Sequence, residues 1–186
     1  MKSGTKLNLG CGPIILDGFL NMDLVVGEYD SPLRNQLDSV VTLPKLPKNA
    51  QVEDKWDIRK GFPKFKDNSI EAITISHLLY NINEEYYPFI FKEFYRVLEP
   101  GGIVRITDNN YDQPPDKFKA YSMDREAVKT RITRRMMFDY LEKTGFKVHD
   151  VNDKTTFYKD NSLIQNYHGD YVKVFHIEGV KYGNTK

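Results

Sequence analysis

Hydrophobic and polar positions alternate in several short runs of this chain and recur at helical spacing in others. Lys6-Leu7-Asn8-Leu9 reads as a short strand running into the glycine turn Gly10-Cys11-Gly12-Pro13. Phe19 to Leu24 fits a second strand, with Asp23 at its carboxyl end. Residues 25–52 mix Gly, Pro, Asp and Lys around one short helix, Pro32 to Val40, and read as an insertion whose internal structure the pattern does not define. An extended segment surrounds Trp56, and turn signals follow at Gly61, Pro63 and Lys66-Asp67-Asn68-Ser69. Glu71 to Ser76, rich in Ile and Thr, is the next strand.

Between Glu84 and Leu98 the residues Tyr87, Ile90, Phe91, Phe94, Val97 and Leu98 recur at helical spacing and predict a helix with one apolar stripe. Pro100-Gly101-Gly102 should stop it before a strand from Ile103 to Thr107. Asp116 to Arg131 predicts a polar helix, and Arg134 to Lys143 another, closed by Gly145 as a left-handed cap. Phe146-Lys147-Val148 opens a strand, and Tyr171 to Ile177 alternates well enough to be one more. Strands alternating with helices, with no repeat, low-complexity block or linker, predict a single α/β domain over residues 1–186.

Composition narrows the function classes. The chain has 186 residues, 40% of them hydrophobic, and its 12 Tyr and 11 Phe supply the large side chains a core needs. A net charge of +1 predicts no generic attraction to nucleic acid or membrane. No run reaches the roughly 18 apolar residues of a membrane span, and the opening residues lack the apolar stretch of a signal peptide. Cys11 is the single cysteine and cannot form an internal disulfide, which suits a reducing, cytoplasmic setting. Four scattered histidines and one cysteine give no metal-ligand spacing, so no metal is expected.

The glycine turn places backbone N–H groups and Cβ-free surface at the carboxyl end of a strand, where α/β sheets bind nucleotides; an ordinary strand-to-loop turn has the same residues. Ile15 stands where a dinucleotide fingerprint needs its third glycine, and no Gly-Lys-Ser/Thr of a P-loop follows. Asp23 could accept both hydroxyls of a ribose or serve only as a turn residue. Asp57 could accept a hydrogen bond from an adenine amino group or face solvent beside Arg59 and Lys60.

The segments LNLGCGP, FLNMDL, WDIRKGFPKFKDNSIEAI, SHLL and FYRVLEPGGIVRI, in this order, resemble the class I S-adenosylmethionine-dependent methyltransferases, most of all their small type 11 branch, over residues 5–110. RRMMFDYLEKTGFKV resembles that family's last helix entering its sixth strand. The resemblance implies a Rossmann-like seven-stranded, mostly parallel sheet with the last strand antiparallel and helices on both faces. It also implies S-adenosyl-L-methionine lying across the carboxyl ends of the first strands. Carried over, Gly10, Cys11 and Gly12, flanked by Leu9 and Pro13, would line the methionine and ribose. Asp23, followed by Leu24, would bind the ribose hydroxyls; Asp57 and the Ile58 backbone would hold the adenine; Ser76 and His77 would face the site. Leu79-Tyr80-Asn81-Ile82 departs from the Glu-His pair common after that step, and Thr107-Asp108-Asn109-Asn110 departs from the Val-Pro-Asp ending of the fifth strand.

Methyl transfer from a sulfonium is an in-line displacement that needs alignment more than a protein nucleophile. An oxygen acceptor benefits from a base, and His77 is the first candidate, with a rate expected to rise through pH 6–7 as an ordinary imidazole loses its proton; a packed structural histidine is the other reading. Asp108 and Asn109 are further catalytic candidates, and Tyr80, Asn81, Asn110 and Tyr111 are candidates for contacting the acceptor or for capping loops. Residues 111–135 form a basic segment expected near the acceptor, suited to an anionic small molecule or simply a solvated face. The expected activity is methyl transfer to a small-molecule or sugar-containing acceptor. A non-catalytic cofactor-binding regulatory module and a nucleic-acid methyltransferase are the alternatives; the last lacks an Asn/Asp-Pro-Pro-aromatic motif. Oligomeric state is not set by the pattern.

Overall fold

The computed structural model describes residues 4–12, 14–23, 54–112, 129–164 and 174–183. Strands β1 (Thr5–Leu9), β2 (Leu20–Asp23), β3 (Asp54–Lys55), β4 (Ile70–Ser76), β5 (Leu98–Asn109), β6 (Phe146–Val151) and β7 (Val174–Lys181) form one sheet in the order β3-β2-β1-β4-β5-β7-β6. The first five strands pair in parallel and β7 runs antiparallel to both its neighbours. The order reverses between β1 and β4, and the crevice at such a switch point is where open α/β sheets place ligands.

Two helices cover one face. In α1 (Tyr87–Val97) a proline in the first turn costs no hydrogen bond, and the apolar stripe Tyr87, Ile90, Phe91, Phe94 and Val97 is buried. In α2 (Arg134–Thr144) the Thr133 hydroxyl accepts the Met136 N–H at 3.1 Å, and Gly145 ends the helix at φ 105°. The chain leaves α1 straight into β5 at Leu98, without the separating turn expected at Pro100–Gly102. Those residues bulge instead: β4 advances from Ile70 to Ala72 while β5 advances from Leu98 to Ile103.

The strands alternate strictly enough to make two adjacent rows of opposite character. Met22, Leu9, Ile75, Ile106 and Ile177 are neighbours across five strands and lie in the main core with the stripes of both helices. One residue back, on the other face, the neighbours are Asn21, Asn8, Thr74, Arg105, Glu178 and His149. Among the described residues this second face is met by irregular chain: Phe19, Tyr158 and Leu163 form a small cluster with Ala72 and Ile103. The polar row binds that chain. Asn21 Oδ1 accepts Asn8 Nδ2 at 2.9 Å and the Leu16 N–H at 3.0 Å, and its amide donates to the carbonyls of Leu16 and Phe19. Arg105 donates to Glu178 Oε1 at 2.7 Å and to the carbonyls of Thr155 and Asn152, while Glu178 also accepts the Thr156 hydroxyl and the Phe157 N–H.

Two expectations on the elements change. The third strand stops at Lys55, before Trp56, whose N–H still bonds the Asp23 carbonyl at 2.8 Å. Residues 129–133 are irregular, so the polar helix expected over 116–131 does not reach its stated end. The remainder of that helix, the helix at 32–40, the 25–52 insertion, Pro13 and Leu24 lie outside the described residues.

Candidate functional site

Four strand ends meet at the switch point. The turn after β1 is fixed by the N–H groups of Gly10 and Cys11 on the Met22 carbonyl, at 2.8 and 3.3 Å, and by Gly12 N–H on Asp23 Oδ2 at 2.9 Å. Both glycines have positive φ, 62° and 48°. Their empty Cβ positions differ: at Gly10 a Cβ would strike the Leu78 side chain at 2.8 Å, whereas at Gly12 it would meet nothing within 4 Å among the described residues. Gly10 is therefore a notch for Leu78, a residue the sequence reading did not single out, and Gly12 borders open space. Leu9 and Cys11 are buried beneath the turn.

Asp57 caps a single 3₁₀ turn, Ile58–Lys60, and pairs with its own turn: Oδ1 accepts the Arg59 N–H and Nε, and Oδ2 accepts Nη2 at 2.7 Å. The Arg59 guanidinium holds its carboxyl below the ordinary range. The solvent-side pairing and the adenine-facing role thus draw on the same carboxylate, and Ile58 is buried below it.

His77 ends β4 in a left-handed conformation, φ 52°, which a non-glycine residue adopts at a cost of about 1–2 kcal/mol. Its N–H bonds the Thr107 carbonyl at 3.0 Å, and its ring stands edge-on to Tyr80. Burial, helped by nearby His176, pushes its pKa down to about 4, although 27% of the side chain still meets solvent. The imidazole is neutral across the neutral range, so the rise in rate expected through pH 6–7 does not belong to it. His77 Nδ1 lies 3.7 Å from Oδ1 of Asp108, which is wholly buried at the end of β5. Asp108 Oδ1 accepts the Asn109 N–H at 2.8 Å, while Oδ2 has no hydrogen-bond partner. Burial raises the Asp108 pKa well above the usual carboxylate value, against the pull of the Asn109, Leu79 and Tyr80 N–H groups. A residue so enclosed cannot touch an acceptor directly.

The remaining candidates spread out. Ser76 Oγ is buried and lacks a partner. Tyr80 is 3% exposed and packs in the core, while Asn81 faces solvent; together with Leu79 they form a 3₁₀ turn above Asp108. Asn110 Oδ1 accepts the Asp112 N–H, and half-buried Tyr111 bonds the Ile132 carbonyl through its N–H. Of the basic segment, Arg134 pairs with Asp150 and Arg135 with Asp139, on α2 rather than at the crevice. His176 was isolated by sequence spacing, but the antiparallel return of β7 sets it beside β5, with Nδ1 2.9 Å from Thr107 Oγ1. Only pairing across the sheet reveals that neighbour. Among the described residues no cluster of His, Cys, Asp or Glu could hold a metal, and no helix is long and apolar enough to cross a membrane.

Comparison with known proteins agrees with this architecture. Residues 23–106 match the family model described as "Methyltransferase domain", of the type 11 family. No curated protein matches the sequence significantly. An S-adenosylmethionine-dependent methyltransferase from Archaeoglobus fulgidus is similar at a TM-score of 0.60 and 13% identity, with 96% of this chain and 86% of that one covered. The YcgJ protein of Bacillus subtilis is similar at 0.59 and 13%, over 98% and 93%. A phosphoethanolamine N-methyltransferase from Haemonchus contortus, in complex with S-adenosyl-L-methionine, is similar at 0.53 and 18%, covering 98% of this chain and 50% of its own. The shared strand order gives the chain the Rossmann-like fold of these S-adenosylmethionine-dependent methyltransferases, and over residues 23–106 its sequence is similar to the type 11 methyltransferase domain family.

Proposed function

We propose that this chain transfers a methyl group from S-adenosylmethionine to a small-molecule acceptor, with His77 taking the acceptor's proton. The observation that carries the reading is the juxtaposition of Gly12 and Asp23 with His77 across the switch point. Gly12 leaves open space, Asp23 presents a carboxylate at the end of β2, and the Ser76 hydroxyl is buried without a partner. In this arrangement Asp23 binds ribose hydroxyls, the Gly10–Gly12 turn faces the methionine part, and Asp57 with Ile58 lies at the adenine end. The cofactor, when bound, supplies an electrophilic methyl on a sulfonium. The chain supplies alignment, worth up to about 7–11 kcal/mol in favourable cases. Held neutral, the imidazole at the end of β4 is in the form that can take up a proton. A small acceptor, and a cytoplasmic setting in keeping with the lone buried thiol of Cys11, complete the reading.

Calorimetry tests it. S-adenosylmethionine and its demethylated product are expected to bind in the micromolar range, about −7 to −8 kcal/mol. Asp23→Ala should weaken both by about 1.5–3 kcal/mol through loss of a charged acceptor. Absence of heat with either compound at millimolar concentration, while ATP or NAD binds, overturns the assignment. With labelled cofactor, turnover of RNA in preference to metabolite pools would replace the small-molecule acceptor by a nucleic acid.

A further inference from the structure

We propose that His77 and Asp108 act as a one-proton pair, in which Asp108 is a positioning residue that governs when His77 can serve as a base. The proposal rests on the reading of His77 as proton acceptor. Its geometric basis is the 3.7 Å approach of Nδ1 to Oδ1, the complete burial of Asp108 and, among the described residues, the lack of a hydrogen-bond partner for Oδ2. A buried carboxyl oxygen without a partner is costly as a carboxylate and tolerable as an acid, so the site favours a proton on Asp108.

The groups around the pair come from every packed element. Tyr87 of α1 has its hydroxyl on the Leu79 carbonyl at 2.9 Å and is itself shifted upward in part by Asp108, as is Tyr111 beyond β5. Glu84 acts on Tyr87 and Arg131 on Tyr111. From β7, His176 faces His77 and is in turn influenced by Arg105 and Asp153. Among the described residues His77 is the side chain found within ion-pair distance of Asp108. The direction of both shifts is the same in effect: the imidazole is held neutral and the carboxyl is held protonated.

Proton balance then fixes the order of events. Neutral His77 with protonated Asp108 carries the same number of protons as imidazolium with carboxylate. The pair first gives up one proton through the ring: the Nε2 proton leaves to solvent while the Asp108 proton passes from Oδ1 to Nδ1, leaving neutral His77, bare at Nε2, beside a carboxylate. When the acceptor gives its proton to the imidazole as the methyl bond forms, the proton's charge is met by Asp108, and movement from Nδ1 to Oδ1 restores the starting form. Closing the gap to a direct hydrogen bond needs a shift of about 1 Å.

The test needs no acceptor. In protein labelled at histidine, the His77 ring carbon signal should show a small step at a pH well above 3.8, without imidazolium formation, and a full protonation step only in acid near pH 4. Asp108→Asn should abolish the first step and leave the second within about half a pH unit. In case that variant does not fold, the Asp108 carboxyl carbon of the unaltered protein should titrate at the same pH as the first His77 step. A first step that survives Asp108→Asn, or a carboxyl that titrates at a different pH, overturns the pair. Either outcome leaves cofactor binding by calorimetry untouched, so failure of the pair and failure of the methyltransferase reading are told apart.

Discussion

The two faces of the sheet solve opposite problems with residues one position apart. On one face, Leu9, Ile75, Ile106 and Ile177 meet the apolar stripes of α1 and α2. A helix satisfies its own backbone, so it can be received by a surface with no hydrogen-bonding capacity. On the other face, Asn8, Asn21, Arg105 and Glu178 meet irregular chain at 14–19 and 152–157, whose N–H and C=O groups have no ladder of their own. Such chain can be buried only if the sheet supplies the missing partners. The difference teaches that alternation within a parallel sheet, where continuous apolar runs are usual, reports what covers the second face rather than exposure to water.

The largest effect that could break this comparison is at Arg105, 1% exposed and paired with Glu178, 0% exposed. Arg105→Met strands the Glu178 carboxylate and frees the Thr155 and Asn152 carbonyls, and is expected to cost about 3–5 kcal/mol in urea unfolding. The double variant Arg105→Met with Glu178→Leu should recover only part, because the loop's carbonyls, the Thr156 hydroxyl and the Phe157 N–H stay without partners. Full recovery would mean that the row holds no loop and is an ion pair for its own sake.

The same contrast explains how much could be read from residues alone. The helix Tyr87–Val97, the Gly145 cap, the Ile70–Ser76 strand and the glycine turn all rest on local signals: spacing, a left-handed position, β-branched content. Gly10, Gly12, Asp23 and His77 are singled out by sequence because each lies at a strand end, and the fold brings those ends to the switch point. What stayed hidden is cross-strand. Leu78 filling the notch at Gly10, His176 behind Thr107, and Arg105 with Glu178 join residues by register, which no spacing along the chain encodes. The depression of the His77 pKa was missed for the same reason, since burial and His176 cause it. The Pro100–Gly102 turn was read as an end of one element when the chain uses it as a bulge within the next.

A second prediction uses acid. His77 and His176 each have a folded pKa near 4, while in the unfolded chain each would titrate near 6.5. As pH falls below about 6.5 the unfolded chain gains protons that the folded chain refuses, so stability drops until pH reaches about 4. Each imidazole contributes up to about 3 kcal/mol over that window, the partly exposed His77 less than His176. Asp108 works in the other direction: its raised pKa stabilises the fold fully below about 3.8, and that contribution is lost as pH rises through its folded value. Thermal melts at pH 7 and 4.5 should show the loss, and His176→Asn should reduce it. A pH dependence that is the same in His176→Asn as in the unaltered protein would show that His176 is not held neutral.

Asn21 comes next. Its amide group joins Asn8, Leu16 and Phe19 through four hydrogen bonds and is 3% exposed. Asn21→Ala leaves those partners buried and should cost about 2 kcal/mol. Because the 14–19 segment continues directly from the glycine turn, cofactor affinity should fall as well, several-fold in calorimetry. Loss of stability with unchanged affinity would separate the polar row from the site and confine it to loop packing.

The smallest effect is expected where the comparison is sharpest, at Ile106, the residue beside Arg105 on the apolar face. It lies between Ile75 and Ile177, fully buried, and touches no polar group of the second face. Ile106→Val removes one methylene from a surface already packed by helices, so the cost should be about 1 kcal/mol, with the urea midpoint lowered and the slope unchanged. No proton is gained or lost at that position, and the cost should therefore be equal at pH 5 and pH 8. Arg105→Met, one residue away, should differ in size, because it leaves the buried Glu178 carboxylate without its partner. If Ile106→Val cost as much as Arg105→Met, or varied with pH, the two rows would be energetically coupled through the sheet and could no longer be treated as separate solutions.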